Sequence, residues 1–170
     1  FGLAGIATIS LEIYEQLGEL PGTVVAPVGH GSLFWGIQLG LQALQRQRDI
    51  HQEVKIVGVQ PARCAPLVAL WKGQPFEGGT QPSLAEGTQI LSPVHGEKIL
   101  NSLQRGKDEL VSIEEEDILP AFYSLAKMGF YVEPTSALVW AAYQKFGSHW
   151  LEPIVLILTG SGLKFDPTLR

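Results

Sequence analysis

A chain of 170 residues is the length of one domain and can bury a core of its own. Its net charge of −5 leaves no basic footprint for nucleic acid, and no apolar run is long enough to span a membrane. The single cysteine, Cys64, excludes an internal disulfide and suits a reducing compartment, so a cytoplasmic protein is expected.

The chain opens on an amphipathic helix, with Ile6, Ile9, Ile13 and Leu17 on one face and Gly18 as its stop. Pro21 and Gly22 turn the chain into a strand over 23–28. A glycine-rich turn follows, and then a helix carrying Leu33, Ile37, Leu41 and Leu44. The run VKIVGV over 54–59 is apolar on both faces, as central parallel strands are. A helix or turn is expected over 62–71, a loop over 72–83, a short segment over 84–90 and a helix near 97–104.

The pattern continues with a strand over 109–113 and an acidic helix start. Ser112 and Glu115 have capping-box spacing there, and Gly129 ends that helix. Glu133 and Pro134 open another helix, whose apolar side is Ala137, Val139, Trp140, Tyr143 and Phe146. Gly147 stops it. The last strand, over 153–158, is fully apolar and runs into Thr159-Gly160-Ser161-Gly162-Leu163. Strands alternating with helices predict a three-layer αβα sandwich with a mostly parallel sheet, folded as one domain over 1–170.

The most informative unit is strand, then Gly29-His30-Gly31-Ser32-Leu33, then helix. Free amides and the helix dipole at such a helix start favour an anion, usually a phosphate. Gly29 and Gly31 are expected to take positive φ and let the ligand approach. No Lys follows as a P-loop needs, and Gly36 is out of place for G-x-G-x-x-G. The segment 159–162 is the second glycine-rich turn at a strand's carboxyl end, where ligands of such sheets bind. The four histidines, His30, His51, His95 and His149, lack metal-ligand spacing, so no metal site is expected.

In order along the chain, PVGHGSLFWG, VKIVGVQ, LAEGTQI, EPTSALVWAA and VLILTGSGLK resemble the fold-type II pyridoxal-phosphate enzymes. The similarity is to the threonine synthase branch, which is also like the serine and threonine dehydratases, cysteine synthases and the tryptophan synthase β chain. The resemblance implies that the amides of Gly29, His30, Gly31, Ser32 and Leu33 cradle the phosphate of pyridoxal 5′-phosphate. It implies that Gly87 lies by the cofactor ring, that Glu133 stands near it, and that the Thr159 hydroxyl meets the ring nitrogen. A neutral hydroxyl there implies a ring nitrogen left largely unprotonated, which suits elimination and replacement chemistry. It offers no side-chain role for His30.

The resemblance covers the C-terminal half of the family. The Schiff-base lysine belongs to the other half. The seven lysines Lys55, Lys72, Lys98, Lys107, Lys127, Lys145 and Lys164 match no Schiff-base motif, although Lys164 stands beside the ring-nitrogen loop. The chain, which starts at Phe1 on the edge of a helix, is expected to be an excerpt and inactive alone. The implied activity is that of an amino-acid lyase of the threonine synthase kind, taking O-phosphohomoserine to threonine or catalysing a related elimination or replacement. The alternatives are an inactive phosphate-binding or interaction module and an unrelated nucleotide-binding domain. With 17% charged residues, the helix faces over 6–17 and 137–146 are expected to be left partly uncovered, which favours a homodimer.

Overall fold

The computed structural model describes residues 2–78, 81–104 and 106–165. Four strands, β1 (Thr23–Pro27), β2 (Lys55–Pro61), β3 (Glu109–Ile113) and β4 (Ile154–Leu156), form one sheet in the order β3-β2-β1-β4. All three pairings are parallel, so the sheet is wholly rather than mostly parallel. Parallel strands need cover on both faces, and alternate side chains feed two cores. Val25, Val57, Val59 and Val111 pack beneath α5 (Glu115–Lys127) and α6 (Pro134–Phe146). Val24, Ala26, Ile56 and Leu110 pack beneath α2 (Ser32–Arg48), α3 (Pro66–Trp71) and α4 (Gly96–Leu103). This is the expected three-layer sandwich.

The first helix, α1 (Gly2–Leu17), lies outside α2. Gly36 and Gly40 permit the contact: a Cβ on Gly36 would come 2.5 Å from Ile6, and one on Gly40 would overlap the Ala7 carbonyl oxygen. The buried Ser10 hydroxyl donates to the Ile37 carbonyl at 2.9 Å across the same seam. Ile6, Ile9 and Ile13 are thereby half-buried, while Leu17 stays 43% exposed.

Several local expectations change. On α6, Ala137, Leu138, Val139, Ala141 and Ala142 are buried, because α6 lies directly on the sheet and against α5, while Trp140, Tyr143 and Phe146 of the expected face stay half-buried. Ser112 caps no helix. It pairs with Gln60 in the β2–β3 ladder, the N-cap is Glu114, and the Glu115 carboxylate takes the Leu84 N–H. Ladder pairing holds Ser112 extended and overrides the local spacing. The apolar run over 153–158 pairs only through Ile154–Leu156 at the sheet edge, with Ile157 N–H adding a bond to Val25 C=O at 2.9 Å. Its residues 154–158 are all half-buried rather than buried. The segment 84–90 is a single 3₁₀ turn, Glu86–Thr88.

From β1 the chain winds outward to β2 and β3 on one side, and β4 joins on the other. The carboxyl end of β1 is therefore the switch point of the sheet, where a crevice opens between diverging connections.

Candidate functional site

At that switch point four segments converge on one cleft of about 260 Å³. Gly29, His30, Gly31, Ser32 and Leu33 arrive from β1. Gly87 comes from the 3₁₀ turn, Glu133 from the start of α6, and Thr159 from the end of β4. All eight residues singled out from the sequence line the same cleft.

The β1–α2 turn is set by its ladder and its glycines. Val28 N–H still bonds Val59 C=O at 2.8 Å, and the first helical bond runs from Trp35 N–H to Gly31 C=O at 2.9 Å. Among the described residues, no carbonyl accepts from the amides of 29–33. Gly31, at φ +86°, uses the left-handed region as expected. Gly29 does not. It is glycine for room, since a Cβ there would stand 2.8 Å from the Gly87 carbonyl oxygen. The His30 carbonyl is tied down by His95 N–H at 3.0 Å, which fixes the turn from outside while its own amides stay open.

The opposite wall is a hydroxyl cluster. Thr135 Oγ1 accepts from Gly87 N–H at 3.2 Å, anchoring the 3₁₀ turn to α6. Ser136, fully buried, accepts from the amides of Thr159 and Gly160 at 2.9 and 3.1 Å. Thr159 Oγ1 donates to Glu133 Oε1 at 3.3 Å, and Glu133 N–H donates to Gly160 C=O at 2.9 Å. Thr135 and Ser136 were missed from the sequence as site residues. Both stand in the EPTSA segment, and two adjacent hydroxyls just inside a helix start were the available signal.

These groups suit a ring that carries a phosphate. A row of free amides at a helix N-terminus takes an anion. Across the cleft, the hydroxyls of Thr135 and Thr159 and the Glu133 carboxylate offer polar contacts. Gly29 and Gly87 let the loops that border the cleft pack closely, Gly29 against the Gly87 carbonyl oxygen and Gly87 against the Thr135 side chain.

A family model described as pyridoxal-phosphate dependent enzyme matches residues 1–160. The chain belongs to that family. It is 30% identical over 141 residues to an L-threonine ammonia-lyase of Thermotoga maritima, covering 82% of this chain and 33% of that protein. It is 29% identical over 170 residues to the threonine synthase of Mycobacterium bovis, covering 97% and 46%. A solved threonine deaminase from T.th. superposes with a TM-score of 0.76 at 30% identity, over 97% of this chain and 60% of that one. Maize serine racemase shares the fold, with a TM-score of 0.80 at 21% identity over 99% and 51% of the two chains. The chain thus spans a third to a half of the length of these two curated relatives. The family's cofactor is pyridoxal phosphate, and the cleft residues fit its phosphate and ring. Among the described residues, no helix is long and apolar enough to cross a membrane, and no cluster of metal-ligating side chains occurs.

Proposed function

We propose that this chain is the phosphate- and ring-holding part of a pyridoxal-phosphate-dependent lyase acting on amino acids, of the threonine synthase kind. The observation that carries the reading is the cleft. Five open amides at 29–33 face the hydroxyl of Thr159, with Glu133 behind it. Pyridoxal phosphate, when bound, supplies the electron sink for elimination or replacement at an amino-acid substrate. The chain's own residues do the holding. The amides of Gly29, His30, Gly31, Ser32 and Leu33 bind the phosphate, and the α2 dipole adds attraction. Gly87 closes one side of the ring space, held by Thr135. Thr159 contacts the ring nitrogen.

The Schiff-base lysine comes from outside residues 1–170 in this reading. None of the six lysines with described side chains lines the cleft, and the side chain of Lys164 lies outside the described residues. The substrate of the complete enzyme is O-phosphohomoserine or a related amino acid, in keeping with the threonine synthases among the relatives. A cytoplasmic setting accords with the free, buried Cys64. Self-association into a homodimer draws support from α1, where Leu11 and Leu17 stay exposed, and from the half-buried edge of β4.

Titration with pyridoxal phosphate, followed by borohydride reduction and digestion, tests this. Binding that inorganic phosphate displaces, with no stoichiometric pyridoxyl-lysine peptide, is the expected result. A single stoichiometric adduct would move the catalytic lysine inside this chain. Binding indifferent to inorganic phosphate would remove the site.

A further inference from the structure

The carbonyls of the β1–α2 turn are held from behind, and one of the holders is a side chain. β1 and β2 run parallel with Pro27 opposite Val59, which puts Val28 opposite Gln60. One rung is made there, from Val28 N–H to Val59 C=O at 2.8 Å. In a parallel ladder the next rung would run from the N–H of residue 61 to Val28 C=O. Residue 61 is proline and has no N–H to give. The Gln60 side chain takes its place, with Nε2 donating to Val28 C=O at 3.3 Å. Gln60 and Val28 are both fully buried. The orientation of the Gln60 amide is set from its other end. Oε1 accepts from the Leu67 and Val68 N–H groups at 3.0 and 3.3 Å, at the start of α3, where Ala65 offers no side-chain cap. Only the oxygen of a side-chain amide can accept two such bonds, so the NH₂ group faces Val28.

A planar trans peptide carries its C=O and its N–H on opposite sides. Holding Val28 C=O toward Gln60 therefore turns the Gly29 N–H away from Gln60. The same geometry recurs two residues on, where His95 N–H holds His30 C=O at 3.0 Å and the Gly31 N–H points the other way. We propose that Gln60 is a positioning residue for the phosphate turn: it replaces the ladder bond that Pro61 cannot make and so aims the Gly29 amide at the cleft before an anion arrives. This rests on the phosphate reading above and goes beyond it, since Gln60 stands behind the turn and does not line the cleft. Among the described residues, Gln60 supplies the one hydrogen bond to Val28 C=O. Glycine at 29 places little restraint of its own on the peptide before it. Without Gln60 that peptide is free to turn, and an anion has to order it on binding, which lowers affinity.

The test uses the ¹⁵N-labelled chain in a weakly aligning medium, titrated with inorganic phosphate at mildly alkaline pH. The residual dipolar coupling of Gly29 reads the direction of its N–H bond, and the amide shifts of residues 29–33 read phosphate seating separately. In the wild type the Gly29 coupling is the same without and with phosphate. In Gln60→Met, which keeps the size but neither donates nor accepts at this position, phosphate affinity falls about tenfold, the scale of one hydrogen bond. The Gly29 coupling then changes as phosphate is added, because the anion has to turn the peptide. Gln60→Glu separates this role from the capping of α3. Its ionised carboxylate still accepts from Leu67 and Val68 but has no proton for Val28 C=O, so the Gly29 coupling changes here too, and this variant carries the test alone if Gln60→Met fails to fold. A wild-type coupling that changes with phosphate, or a coupling that stays constant in the folded variants, overturns the proposal, while seating at 29–33 leaves the phosphate reading intact. Loss of seating in the wild type overturns both.

Discussion

The two ends of the sheet treat polar groups in opposite ways. At the amino end several close on one another, although Thr23 Oγ1 and Gln38 Oε1 are buried without a hydrogen-bond partner among the described residues. Asp108, 8% exposed, takes the Gln38 amide at 2.8 Å and the Ile56 N–H at 3.1 Å. Lys55 pairs with Glu109 at 2.8 Å, and Gln52 donates to the Leu20 carbonyl at 2.9 Å. At the carboxyl end the amides of 29–33 have no protein acceptor among the described residues. Buried donors are paired wherever a fold can pair them. A row of open amides at the switch point supports the proposal that they are held for a ligand.

Breaking the closed end has the largest effect expected on stability. Asp108→Ala leaves the Ile56 N–H and the Gln38 amide unpaired in the core. That costs about 2–4 kcal/mol in denaturant unfolding, while inorganic phosphate affinity of the folded protein is unchanged. An unchanged midpoint would mean that the amino end is not held by Asp108.

The open end responds the other way. Gly29→Ala puts a Cβ 2.8 Å from the Gly87 carbonyl oxygen, a backbone atom that has to move. Phosphate affinity by calorimetry falls tenfold or more, by roughly 1.4 kcal/mol, and stability falls by about 1–2 kcal/mol. Wild-type affinity in this variant would break the link between the two loops.

A smaller effect concerns pH. Burial raises the Asp108 carboxyl above its ordinary 3.8, against the opposing pull of its bond from Ile56 N–H. The folded state thus holds this proton more tightly than the unfolded chain. The contribution of Asp108 to stability is fullest below 3.8 and is lost as pH rises through the raised folded value. Asp108→Asn removes that slope. Urea unfolding of both proteins across the acidic range should show the wild type losing ground on the variant as pH rises, and parallel curves would contradict it. The smallest effect is expected for His30→Gln, an exposed change worth within about 0.5 kcal/mol of stability.

The contrast between the ends also separates what was legible in the sequence from what was not. Apolar runs and glycine stops located the strands and most helices, because period and punctuation are local. The eight cleft residues were found through glycine spacing and resemblance. The reason for Gly29 was not. Its small size answers to Gly87, 58 positions away, and only the fold brings them together. Ser112 had the right spacing for a cap and lost to its ladder partner Gln60. The edge position of β4 was invisible, since PIVLIL reads like a central strand. Ser136 was quoted within a motif, yet its role depends on counting donors and acceptors around one oxygen.

Amide spectra recorded during titration with inorganic phosphate address the open row most directly. Saturable shifts confined to the amides of 29–33, with the Ile56 amide at the closed end unmoved, are the predicted result. Shifts scattered over the surface, or none at 29–33, would contradict the assignment of those amides to a phosphate.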